Sequence, residues 1–212
     1  MNEANEKVRL KDISFGYSDE FLLLKDINLS VKSGQLVNIT GRCGSGKSTL
    51  ARIICGLLKP LSGCLEYLGL MPLMIFQNPD NQFVRSRVED DVAFGPEKLG
   101  ISPDEIKERV TRYADFLNIK KLLGREISTL SSSEKVQVAV CGALCTGCSA
   151  LVFDEVNAFL DRKGREDISL IIRDCLESGM AVINFTHSPQ LIFGSSDTFL
   201  LENGHLWEKR ID

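Results

Sequence analysis

No apolar run in these 212 residues approaches the roughly 18 that would suggest a membrane-crossing helix. Runs such as Ala150–Phe153 and Ala181–Phe185 are far shorter. Nor does a secretory signal precede Val8. Basic residues are not in excess: 25 Lys and Arg stand against 29 Asp and Glu, a net charge of −4. That balance excludes the global positive field that dominates nucleic-acid binding, so nucleic acid is not an expected partner. Repeats, low-complexity tracts and an obvious interdomain linker are missing too. At 43% hydrophobic residues, a chain of this length is expected to bury one core as a single unit spanning 1–212.

Seven cysteines are present, but without an export signal they are expected to be thiols in a reducing cytosol, mostly small buried groups. Cys141, Cys145 and Cys148 have the C-x3-C-x2-C spacing of some iron–sulfur enzymes. The first two fall in or beside the apolar stretch Val136–Leu144, where i,i+4 spacing marks one helix face, and no ligand loop surrounds them. A structural reading is preferred.

β-rich runs at Val8–Phe15, Leu36–Thr40, Leu151–Phe153 and Ala181–Phe185, with a last one near Thr198–Leu201, alternate with helical stretches at Ser48–Leu58 and Asp167–Glu177. This order predicts an α/β core around a parallel sheet. Between residues 78 and 147 the pattern turns helical, with Ser102 as N-cap before Pro103 and a periodic segment through Leu117. The core is thus expected over 1–77 and 148–212, and a helical subdomain over 78–147.

Residues 41–48 fit G-x4-G-K-[ST] between a strand and a helix, the context this phosphate loop requires. Gly41, Cys43, Gly44, Ser45 and Gly46 let successive N–H groups face phosphate oxygens, and the helix N-terminus adds its positive dipole end. Lys47 would reach the β- and γ-phosphates, Ser48 would coordinate Mg²⁺, and Thr49 would hold the α-phosphate side. The run Ala150–Glu155 reads as a buried strand ending in two carboxylates. Asp154 would join the Mg²⁺ shell, and Glu155 would take a proton from the attacking water.

From Val8 to Glu208 the chain resembles the ABC ATPases, whose further motifs follow in that family's order. The resemblance implies a P-loop NTPase (RecA-like) core with an inserted helical subdomain and a small antiparallel β subdomain, binding ATP with Mg²⁺. It also implies that Tyr17 in Phe15-Gly16-Tyr17 stacks on adenine and that Gln77 is the Q-loop glutamine, contacting metal and water. His187 after Phe185-Thr186 is then the switch histidine that contacts the γ-phosphate. More narrowly, Phe76–Gln82 with Val88–Pro96 resembles the ATPases of energy-coupling factor transporters, which import vitamins and transition-metal ions. In that family two ATPases clamp beneath a transmembrane coupling protein joined by a substrate-binding membrane protein, at the cytoplasmic face of the membrane. Many members carry a C-terminal domain that a chain of this length is expected to lack.

The family's signature, Leu-Ser-Gly-Gly-Gln, binds the partner subunit's ATP. Leu130-Ser131-Ser132-Ser133-Glu134 stands here instead. Two side chains replace glycines, which would restrict positive φ and close backbone approach and weaken the grip on phosphate across the dimer. Gln137 sits where arginine is common, and the loop Val156–Asp161 lacks the usual proline and has Phe159 where a small residue is usual. The residues expected to act on the chain's own nucleotide are intact, so a heterodimer is favoured over a homodimer. A soluble ABC ATPase for assembly or repair, and a nucleotide-gated module with weak hydrolysis, are the competing functions.

Overall fold

The computed structural model describes residues 5–18, 21–187 and 197–209. Strands β1 (Glu6–Phe15) and β2 (Leu24–Lys32) pair antiparallel, and the chain then crosses into a second sheet at β3 (Leu36–Thr40). Helix α1 (Lys47–Ile54) follows, and β4 (Ser62–Tyr67) returns to the free side of β1. After β5 (Leu73–Ile75) come three helices, α2 (Val88–Lys98), α3 (Pro103–Phe116) and α4 (Ser132–Thr146). The core resumes with β6 (Ala150–Asp154), α5 (Arg162–Glu177), β7 (Ala181–Thr186), β8 (Asp197–Glu202) and β9 (His205–Lys209).

The larger sheet runs β5-β6-β7-β3-β8-β9, parallel except for β9, and the smaller runs β2-β1-β4. Every residue of β3, β6 and β7 is buried, as continuous apolar runs covered on both faces require. Alternation decides which face each side chain joins. Leu151, Phe153 and Val182 pack with the apolar sides of α4 and α5, while Val152, Ile183 and Phe185 pack with α1 and the small sheet. This is the α/β P-loop core with helical and antiparallel additions that the family resemblance implies.

Helix boundaries follow capping chemistry. Ser102 accepts from the Glu105 N–H with Pro103 in the first turn, so α3 starts where the Ser-Pro pair predicts. The helix expected from Asp167 starts five residues earlier, because the Asp161 carboxylate accepts from the Gly164 N–H at 2.7 Å. The strand β2, not among the expected β-rich runs, has a clean period-two pattern through Ile27, Leu29 and Val31, all buried.

Cys141 and Cys145 are both buried on α4, and the Cys148 thiol is pushed up to about 12 by burial. All three are buried, in keeping with the structural reading. Of the seven, Cys43 and Cys64 are exposed.

Candidate active site

Register in the large sheet places three chain exits side by side. Thr40 on β3 pairs with Thr186 on β7, and Asp154 on β6 pairs with Phe185 on β7. The glycine loop leaves after Thr40, the two carboxylates stand at the end of β6, and His187 follows Thr186. All three meet at the C-terminal edge of parallel strands, where open α/β sheets form their ligand crevice.

In the loop, Gly46 caps α1 with φ 102° and Gly44 has φ 80°, conformations that a side chain resists. Lys47 is only 4% exposed, and its ammonium donates to the carbonyls of Gly41 and Arg42 at 3.0 and 3.1 Å. The Ser45 hydroxyl is buried and has no hydrogen-bond partner among the described residues. Ser48 Oγ donates to Asp154 Oδ1 at 3.0 Å. Burial raises the Asp154 pKa, with the Glu155 charge adding to the rise and the Ser48 bond opposing it. A desolvated carboxylate beside a hydroxyl is a hard-oxygen pair suited to Mg²⁺.

Glu155 adopts left-handed backbone, φ 53° and ψ 24°, uncommon for a residue with a side chain. Its N–H donates to the Phe185 carbonyl at 3.0 Å, tying the turn to the end of β7. So held, its carboxylate lies between two partners: Oε1 is 3.1 Å from Lys47 Nζ, and Oε2 is 3.0 Å from His187 Nδ1. Nothing in the sequence announces the Phe185 carbonyl as the anchor, since any residue would supply it.

A cavity of about 620 Å³ runs along Gly41–Ser45 and His187, closed on the other side by Leu22, Leu23, Glu202 and Asn203. Tyr17 is mostly exposed, stands edge-on to Phe15 at 5.0 Å, and shares a 3.0 Å hydrogen bond with the Thr49 hydroxyl. Gln77, just past β5, is exposed and makes no side-chain hydrogen bond among the described residues.

Ser131, Ser132 and Ser133 lie elsewhere. Ser131 is the N-cap of α4 and forms a capping box: its hydroxyl accepts from the Glu134 N–H at 3.3 Å, and its own N–H donates to Glu134 Oε2 at 2.9 Å. The Ser131 N–H, helped by Arg125, holds the Glu134 carboxyl below the usual range. Ser132 and Ser133 form the helical first turn, and neither has positive φ. The expectation that side chains here oppose a positive φ is therefore wrong, because the turn is ordinary helix; only the bulk at the surface remains. Ser131 and Ser133 border a second cavity, about 720 Å³, which shares no lining residue with the one along the glycine loop. The backbone of Val156–Phe159 makes one 3₁₀ turn after Glu155, while the Phe159 side chain lies outside the described residues.

Comparison with known proteins shows the family. The sequence profile of the ABC transporter family matches residues 24–158. The energy-coupling factor transporter ATP-binding protein EcfA1 of Mycoplasmoides gallisepticum is 33% identical over 97% of this chain and 78% of its own length. That of Bacillus subtilis is 39% identical over 88% of this chain and 72% of its own. The solved structure of cbiO1 from Clostridium perfringens, part of the ABC transporter complex cbiONQ, superimposes with a TM-score of 0.83 at 28% identity. It covers 95% of this chain and 87% of that one. With the glycine loop, paired carboxylates and histidine converging as described, the chain belongs to the ABC transporter family and is one of its ATPases.

Proposed function

We propose that this chain is the ATP-hydrolysing subunit of an energy-coupling factor importer for a vitamin or metal ion. The carrying observation is the line Lys47–Glu155–His187 beside the pair Ser48–Asp154, all at one sheet edge. In this reading the loop N–H groups, the Ser45 hydroxyl and Lys47 bind the phosphates, and Tyr17 receives the adenine face. Ser48, Asp154 and Gln77 would hold Mg²⁺, which would supply positive charge against the phosphates. Glu155 accepts the proton of the attacking water, while His187 orients the γ-phosphate.

Of the signature residues, Ser131 and Ser133 border a cavity separate from the glycine loop, which supports their serving a nucleotide held by another subunit. Intact residues on the glycine-loop side and altered ones here favour a second, different ABC ATPase as partner. No helix among the described residues is long and apolar enough to cross a membrane. Attachment to the cytoplasmic face is assigned to the coupling protein, in complex with a substrate-binding membrane protein. An apolar groove of about 310 Å³ between Leu57, Phe76, Phe83, Val84 and Phe94 suits a helix of that coupling protein.

The test is nucleotide titration of Lys47→Ala. Loss of most ATP binding in a folded variant is expected, because the β- and γ-phosphate charge loses its buried cation; unchanged affinity would overturn the site.

A further inference from the structure

The Glu155 carboxylate sits where a different anion is needed. Lys47 and His187 are the two side chains assigned to the γ-phosphate, and Glu155 touches both, at 3.1 and 3.0 Å. The pair with Lys47 is nearly dry, with side-chain exposures of 4% and 14%. The Lys47 ammonium has three protein acceptors here, two carbonyls and this carboxylate, and only the carboxylate cancels its charge.

The turn that aims Glu155 there is built for it. A side-chain-bearing residue in left-handed backbone persists only where surroundings over-determine it, and here the Phe185 carbonyl and the turn bond from the Ala158 N–H to the Glu155 carbonyl do so. Because the Phe185 anchor lies two residues before His187, the carboxylate and the histidine are set by the same strand end.

We propose that Glu155 is an internal competitor for the γ-phosphate, and so determines the relative affinity for ATP and ADP. ATP must expel the carboxylate from between Lys47 and His187, since two anions cannot share one buried cation without strong repulsion. ADP, seated by its β-phosphate in the loop N–H groups, leaves the carboxylate in place. The expelled carboxylate lies beside the γ-phosphate, within reach of a water on its far side, so binding ATP also delivers the base. When phosphate leaves after hydrolysis, the carboxylate returns to Lys47 and resists a new γ-phosphate. The inference rests on the assignment of Lys47 and His187 made above.

The experiment is calorimetric titration of the isolated chain with ATP and with ADP, with EDTA present to hold hydrolysis and sizing to verify a monomer. Glu155→Gln keeps the shape and removes the competing charge. The expected result is ATP binding about tenfold tighter and ADP binding changed less than about threefold. Glu155→Ala should shift the ratio the same way, which guards against an amide that bonds Lys47 on its own. Equal changes for both nucleotides, or a gain that appears only with dimer, would overturn the competitor while Lys47→Ala still abolishes binding. Normal ATP binding by Lys47→Ala would instead overturn the site assignment itself.

Discussion

Ser131 caps α4 and, on the proposed reading, also serves a nucleotide across a dimer; Ser131→Ala tests the two roles separately. In the chain alone its hydroxyl is half of the α4 capping box, accepting from the Glu134 N–H at 3.3 Å. The reciprocal bond, from the Ser131 N–H to Glu134 at 2.9 Å, uses backbone and survives the substitution. Loss of a serine cap costs about 0.5–2 kcal/mol, and a long bond with a surviving counterpart belongs at the low end, about 0.5–1 kcal/mol. For a chain of this size that is a fall in Tm of roughly 1–4 °C. Thermal unfolding of the isolated chain reads it. ATP affinity of the isolated chain should not change, because Ser131 borders a cavity separate from the glycine loop. If the serine serves a partner's nucleotide as proposed, turnover of the assembled complex should fall only at that site. An unchanged Tm would show that Glu134 holds the helix start alone. Weaker ATP binding in the isolated chain would refute the division between the two sites.

Three further outcomes can be checked directly. Glu134→Gln keeps the box but not the charge; since the folded carboxyl is held below the usual glutamate range by the Ser131 N–H, wild type should lose stability as pH falls through that lowered pKa, and the variant should lack that component in acid-unfolding curves. Cys43, exposed in the glycine loop, should be alkylated more slowly with ATP present, whereas exposed Cys64 serves as the control in peptide mass mapping; equal slowing of both, or of neither, would count against this placement. Gly63→Ala should destabilise by about 2–4 kcal/mol, because a Cβ there meets the carbonyls of Lys11 and Asp12 at 2.4 Å with φ at +88°; a loss below about 1 kcal/mol in denaturant unfolding would show that β1 and β4 part easily.

Much of the site was legible because its chemistry is local. A glycine loop between strand and helix, or two carboxylates ending an apolar run, needs only a few consecutive residues to be recognised. The contacts that join these pieces were not legible. Glu155 reaches Lys47 and His187 from positions more than a hundred and about thirty residues apart, and sheet register, set by pairing between β3, β6 and β7, brings them together. The small sheet was half-read for a similar reason: β1 was visible as an apolar-rich run, whereas β4 is mostly exposed and polar and becomes a strand only through β1. The start of helix α5 lies before its apolar periodicity, because it depends on the Asp161 cap.

The serine run shows where a correct sequence observation leads to a wrong physical cause. Replacing glycine suggests a lost positive φ, but α4 begins at Ser132 and both serines take helical backbone at no special cost. Side-chain bulk is then the remaining difference, and the structure shows how one serine is housed. The Ser133 Cβ lies 3.0 Å from where a Cβ on Gly164 would stand, so α5 offers a glycine where α4 carries a side chain. Ser133 is thus accommodated inside the chain, so on the proposed reading any weakening of the signature is expected at its exposed surface. On the reading proposed above, the effect of these substitutions is expected at a second nucleotide rather than at Lys47, and an intact glycine loop beside an altered helix start predicts an asymmetric pair of sites.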